Sequence, residues 1–331
     1  MNPLTVRIFS NFTVTNTSEL LGRSESEFRN QGIRLIFNRS GKADLVIVLN
    51  TVTAPRWVSV PRGNLIKVLQ EPLIHNPMTH LFTYWHSKIF DQILTHTPVL
   101  QDSRQIRSLP CTRSFVDPTA LQEQPFELKK YPLSIVASTL AGLPGHKTRL
   151  EFVKRLLARY PDLDTHTFGK GRKQELVQKI DGLHDYRFSI AIENSCIPSY
   201  MTEKFYDCII AGCVPLYYGA PNVAEYFPVD SYILLPINNF EECCRIIGEL
   251  SESDYERRIP ALIEARSLIR EKYSLGSVIL SQVALIQSSP PSKRRLVFLL
   301  RIDGFICLLQ KLGITTIPRR TISALRNIAR N

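Results

Sequence analysis

The chain has 331 residues, 44% of them hydrophobic, which is enough to bury two cores of roughly 150 residues each. Its net charge of +11 is uneven: the last 39 residues, from Lys293, hold nine Lys or Arg against one acid, Asp303, and so carry +8. This charge sits at one end without stacking aromatics, which argues against specific nucleic-acid reading, and seven cysteines without paired C-x-x-C or spaced histidines argue against a zinc site or disulfide framework.

The first residues, MNPLTVRIFSNF, enter an apparent strand with neither a basic n-region nor a long apolar h-region, so a reducing, cytoplasmic compartment is expected. Strands are predicted at Leu4 to Ser10, Ala43 to Asn50, Asn64 to Gln70 and Asp91 to Thr97. A polar, proline-bearing stretch from Leu121 to Leu133 reads as a linker, dividing an N-terminal α/β domain (1–125) from a second one (126–290). Beyond it, strands are predicted at Leu133 to Ser138, Thr165 to Lys170, Tyr186 to Asn194, Cys213 to Gly219 and Ser231 to Pro236. Several are continuous apolar runs, as in a parallel sheet covered on both faces, and the stripe Leu150, Val153, Leu156 and Leu157 marks a helix between two of them. Alternating strands and helices imply α/β units. The segment 291–331 follows a proline break. Its apolar run is interrupted by Arg301 and Asp303, so it is too short to span a membrane. With Arg301, Gly304 and Lys311 near one face, it reads either as a basic amphipathic helix on an anionic membrane surface or as a helix packed on the body.

The run ENSCIPSYMTEKFYDCIIAGCVP, Glu193 to Pro215, joins a strand end to a helix predicted from about Thr202 to Gly212. Lys204 then lies in a first helical turn, where it opposes the helix dipole by about 0.3–1 kcal/mol unless an anion is bound there. Strand ends and helix N-termini of this kind hold polyanions in open α/β sheets. Taken alone, Glu203 and Lys204 read equally well as solvated charges.

The surrounding pattern is more specific. Phe188, Glu193-Asn194-Ser195, Tyr200, Thr202-Glu203-Lys204, Gly212, Val214-Pro215, Gly219, Pro221, Phe227-Pro228 and Ser231 together resemble the donor-binding signature of the α-1,3-fucosyltransferases, glycosyltransferase family 10. Upstream, KTRLEFVKRLLARYPDLDTHTFGKG is similar to the family segment that carries an arginine at a helix start, here Arg149, and a Phe-Gly pair, here Phe168 and Gly169. VLQEPLIHNP looks like the family stretch in which a glutamate, here Glu71, follows a buried strand. Ser199 and Met201 depart from the pattern, which more often has Gly or Asp and Val there.

The resemblance implies two Rossmann-like domains facing across a cleft, the glycosyltransferase B architecture, with GDP-fucose as donor and a glycan acceptor (oligosaccharide, lipopolysaccharide or glycoprotein). It implies inverting transfer, α-1,3 or α-1,4 to N-acetylglucosamine or glucose, with Glu71 as general base and Lys204 with Arg149 on the diphosphate. Phe168, Gly169, Glu193, Asn194, Ser195, Tyr200, Thr202 and Glu203 complete the implied donor site. No cofactor is required, and no metal site is predicted. The string Asp162-Leu163-Asp164 follows a helix end as turn residues do, and His75, His80, His86 and His96 show no ligand spacing and suit surface or acceptor-cleft positions. Gly142 and Gly145 read as turn residues beside the site. The competing readings are a transferase for another nucleotide sugar and a non-catalytic binder of membrane or nucleic acid. The implied location is cytoplasmic, peripheral on the inner membrane face.

Overall fold

The computed structural model describes residues 3–73, 75–96, 106–107, 113–119, 126, 129–139 and 144–300. They fall into two compact units, one drawn from Met1–Thr17, Ser24–Leu109 and Val278–Asn331 and the other from Ser18–Arg23 and Pro110–Ser277.

The first unit contains β1 (Leu4–Ser10), α2 (Glu25–Asn30), β2 (Ile33–Phe37), β3 (Gly41–Lys42), β4 (Leu45–Leu49), β5 (Arg56–Pro61), β6 (Leu65–Leu69), α3 (Pro77–Trp85), β7 (Gln92–Thr95) and β8 (Ile106–Arg107). The short α1 (Thr17–Leu21) precedes α2. Six of the strands form a sheet in the order β2-β1-β4-β6-β7-β8, parallel at every pairing. The sequences LVIVL of β4 and LIKVL of β6 are buried at all positions, which is why they show no polar alternation. Ser24 opens α2 with a reciprocal capping box to Glu27.

The second unit contains β9 (Tyr131–Val136), α4 (Pro144–Arg159), β10 (Thr167–Phe168), β11 (Tyr186–Ile192), α5 (Glu203–Ile210), β12 (Val214–Tyr218), β13 (Ile233–Leu234), α6 (Phe240–Gly248) and α7 (Glu252–Leu268). Its sheet, β10-β9-β11-β12-β13, is also parallel throughout. The core gathers on β11, β12 and α5, where Phe188, Phe205, Ile209, Val214 and Leu216 are fully shielded. α5 is buried from Phe205 onward and ends where Gly212 turns to φ 71°, a left-handed position suited to glycine.

The structural division differs from the expected linker. Ser114 Oγ and the backbone N–H groups of Phe115 and Val116 donate to Asp207 Oδ1 at 2.6, 2.9 and 3.3 Å. These bonds tie residues 114–116 to α5 of the second unit, ahead of the prolines that suggested the boundary. Most of the expected linker lies outside the described residues. The C-terminal segment also differs. After α8 (Leu275–Ser288), residues Arg294–Leu299 form β14, antiparallel to β5, in the small sheet β14-β5-β3. Leu296 and Phe298 are exposed while Val297 and Leu299 are buried, a period of two that suits a strand paired to an edge and not the start of a helix. Arg301, Gly304 and Lys311 lie outside the described residues. Among the described residues, no helix is long and apolar enough to cross a membrane.

Candidate functional site

β11 ends in Glu193, Asn194 and Ser195, and the chain returns to α5 through a loop ending at Thr202. Thr202 is the N-cap, and its hydroxyl accepts from the Lys204 N–H. The Glu193 carboxylate spans the loop: Oε1 accepts from the Thr202 N–H at 2.7 Å and Oε2 from the Thr202 hydroxyl at 2.6 Å. Lys204 Nζ donates to Glu193 Oε2 at 3.3 Å, to Thr202 Oγ1 at 2.9 Å and to Glu203 Oε1 at 3.1 Å. Three donors therefore meet three acceptors. The cation expected to oppose the helix dipole is offset by two carboxylates, because the loop folds Glu193 back onto the helix start.

The protonation equilibria follow from this packing. Burial pushes the Glu193 carboxyl up, against the pull of Lys204. Burial also acts to raise Glu203, but Lys204 and Lys179 outweigh it and hold Glu203 down to about 2. Burial lowers Lys204, and the two glutamates more than compensate, leaving its pKa above the ordinary lysine value.

Arg149, in α4, is buried and donates from Nη1 to Asn194 Oδ1 at 2.9 Å, while its buried Nε has no partner among the described residues. Burial lowers its pKa, and the Glu203 and Glu193 charges oppose that. Gly145, read from sequence as a turn residue, lies inside α4. A Cβ there would stand 1.9 Å from the Asn194 carbonyl oxygen, so glycine is what lets this helix start approach the β11 end. Gly142 lies outside the described residues.

Arg149 and Lys204 line one small pocket, with Ile135, Ala137, Val153 and Ile192, at the carboxyl ends of β9 and β11. Phe168 and Gly169 flank this region without lining it. Gly169 has φ 137°, and a Cβ would stand 2.7 Å from the Ala137 carbonyl. Phe168 packs edge-on against Tyr186. Two expected donor contacts are placed otherwise. Glu193 is 2% exposed with both oxygens engaged, so it braces the loop. Tyr200 is 4% exposed and packs inside the loop, where its carbonyl accepts from the Tyr217 hydroxyl. Ser199 adopts φ 62°, which accounts physically for Gly or Asp at this point of the family pattern. Asn194 and Ser195 are half-buried, and Thr202 is buried.

Sequence reading missed two cations. Lys179 Nζ lies 2.7 Å from Asp207 Oδ2 and donates to the Glu203 carbonyl at 3.2 Å. Arg172 donates from Nε to the Ala137 carbonyl at 2.7 Å. Neither has a periodic signal, because Arg172 lies in a turn and Lys179 opens a 3-10 helix of four residues, Lys179–Gly182.

In the first unit, Glu71 follows β6 with its side chain 52% exposed, and His75 Nδ1 stands 3.6 Å from its Oε2. His80 Nε2 donates to the Glu71 carbonyl at 2.7 Å. His80 and His96 are buried, not superficial, and burial lowers them to about 4 and about 3. Asp162 and Asp164 lie in the 3-10 turn Pro161–His166, and Asp164 pairs with Lys173 at 2.9 Å. Among the described residues no group of three His, Cys, Asp or Glu side chains is placed to hold a metal ion.

Two parallel α/β units with convergent cations at a strand end define the class, that of the glycosyltransferase B fold. An α-glucosyltransferase in complex with UDP and a 13-mer DNA shares this fold at TM-score 0.52 and 10% identity, over 86% of this chain and all of the other. Residues 129–258 match the family described as glycosyltransferase family 10 (fucosyltransferase) C-term. A putative fucosyltransferase-like protein of Arabidopsis thaliana is 31% identical over 101 residues, 30% of this chain and 20% of the relative. The alpha-(1,3)-fucosyltransferase B of Drosophila melanogaster is 28% identical over 113 residues, 33% of this chain and 25% of the relative. The matches thus span about a fifth to a quarter of these relatives' lengths.

Proposed function

We propose that this chain transfers fucose from GDP-fucose to a hydroxyl of a glycan acceptor, with inversion, forming an α-1,3 or α-1,4 linkage. The observation that carries the reading is the meeting of Arg149 and Lys204 in one pocket at the carboxyl ends of β9 and β11. Positive charge there would stabilise a departing diphosphate in a poorly solvated setting. Arg149 brings a buried Nε with no partner among the described residues, and Lys204 would exchange one of its three present acceptors for a phosphate oxygen. Glu203, held ionised, is suited to accept from sugar hydroxyls. Glu71, half-exposed, is the proposed base that takes the acceptor proton.

The relatives' names support fucose as the sugar. The acceptor is an oligosaccharide, a lipopolysaccharide or a glycoprotein glycan, and a cytoplasmic site at the inner membrane face suits the first two. The test is product analysis by mass spectrometry with GDP-fucose, GDP-mannose and UDP-sugars against galactose- and N-acetylglucosamine-containing acceptors. A mass gain of one deoxyhexose with GDP-fucose alone is expected. Transfer from another donor would replace the fucose assignment, and no transfer or donor hydrolysis with any of them would reject the catalytic reading.

A further inference from the structure

Lys67 sits in the middle of β6, paired in register with Val48 of β4 and Ile93 of β7, and is 1% exposed. A lysine in a central parallel strand is unfavourable unless something answers its amine. Among the described residues, no carboxylate and no hydrogen-bond acceptor pairs with Nζ. Its neighbours are the ring faces of Phe90, with the centroid at 5.3 Å, and Phe82 at 6.0 Å.

The same lysine lines a small pocket, partly open to solvent, whose other walls include Thr51, Val52, Phe82, His86, Phe90 and Phe298. Apart from Thr51 and His86 these walls are apolar, and Lys67 supplies the amine. The apolar surface continues outward. Phe298 stacks at 4.7 Å on Trp57 across β14 and β5, and the two are 41% and 52% exposed, beside Leu296 at 67%. A buried amine at one end of an apolar wall, with exposed aromatics at the other, matches a ligand with the same polarity.

We propose that this pocket binds an amphiphilic carboxylate, with its head on the Lys67 ammonium and its hydrocarbon body along Phe90 and Phe298 toward Trp57. Binding supplies the counter-charge the fold omits. The titratable groups facing Lys67 are His80 of α3 and His86 at its C-cap. The hydroxyl in the pocket wall is that of Thr51, and β4 and β14 contribute apolar side chains.

The test is calorimetric titration of the full chain with octanoate, and with octanol as the uncharged control, at about pH 6 and about pH 9. Octanoate stays ionised throughout while Lys67, held at about 7 by burial, loses its proton. One octanoate per chain is expected, bound at least about tenfold more tightly at the lower pH, with octanol showing no such dependence. Lys67→Met should abolish the preference for octanoate over octanol, and His86→Gln should leave the pH dependence in place. Equal octanoate affinity at both pH values, unchanged octanoate binding in Lys67→Met, loss of the pH dependence in His86→Gln, or no octanoate binding by the natural chain would each overturn the proposal. The wild-type pH series needs no variant to fold, and binding is read without any transfer activity.

Discussion

Lys204 Nζ lies 3.3 Å from Oε2 of Glu193, a carboxylate whose side chain is wholly shielded from solvent. The lysine is therefore part of the fold as well as part of the proposed donor site. Lys204→Ala should abolish GDP-fucose turnover and also lower stability by about 3–5 kcal/mol, because it takes from the buried Glu193 the ammonium group that contacts it. The double variant Glu193→Gln/Lys204→Met should recover most of that stability in urea denaturation without recovering turnover. Turnover by the double variant would remove Lys204 from the phosphate role.

Gly145→Ala probes the seat of α4. Its Cβ would overlap the Asn194 carbonyl, so the helix start must shift and carry Arg149 with it. A loss of at least about tenfold in GDP affinity is expected, together with a lower melting temperature. Gly248→Ala, where nothing lies within 4 Å of the added Cβ, is the matched control and should change neither.

For Glu71→Gln the expectation is the reverse pattern. The side chain is half-exposed, so melting should be unaffected, while kcat falls by about 10²–10⁴ if the carboxylate takes the acceptor proton. A donor KM that rises with kcat unchanged would reassign Glu71 to binding.

Stability should depend on pH on both sides of neutrality. The folded values of His80 and His96 lie near 4 and 3, below the ordinary 6.5, so the unfolded chain binds more protons in that interval. Their contribution is fully present above 6.5 and is lost as pH falls toward 4 and then 3. Glu203, depressed from 4.5 to about 2, adds a further loss below 4.5. Lys67 acts on the alkaline side. Its folded value of about 7 against 10.5 makes the unfolded chain the better proton binder between them, so stability rises over that window. Replacing this buried amine by Lys67→Met should raise stability at pH 7 by on the order of 4 kcal/mol, read as an increase in melting temperature, and should flatten the rise. A lower melting temperature in Lys67→Met would mean that the amine is satisfied in a way its surroundings do not show.

Much of the site was legible in advance where the signal is local. The run FSIAI required a buried strand, the Thr202 hydroxyl and Gly212 set the two ends of α5, and Arg149 fell on the helix predicted before β10. What stayed hidden depends on contacts between residues distant along the chain. Glu193 read as a ligand contact because its spacing could not show that the loop would fold its two oxygens back onto Thr202 and Lys204. Tyr200 reads from sequence as part of the donor site because nothing local shows that the same loop buries it. Gly145 passed for a turn residue until the Asn194 carbonyl was seen against it.

The sequence by itself determined the alternation of strands and helices, the parallel character of the sheets and the chemical types gathered at the end of β11. These follow from periodic burial and from caps that act within a few residues. Tertiary structure alone decided which charges meet. Among the described residues Lys204 has three acceptors and Lys67 has none, because a parallel sheet brings together side chains from strands and helices far apart in sequence, and the free energy of a buried charge is set by those neighbours. The same dependence on distant partners turned Arg294–Leu299 into a strand, since the edge of β5 supplies its hydrogen bonds.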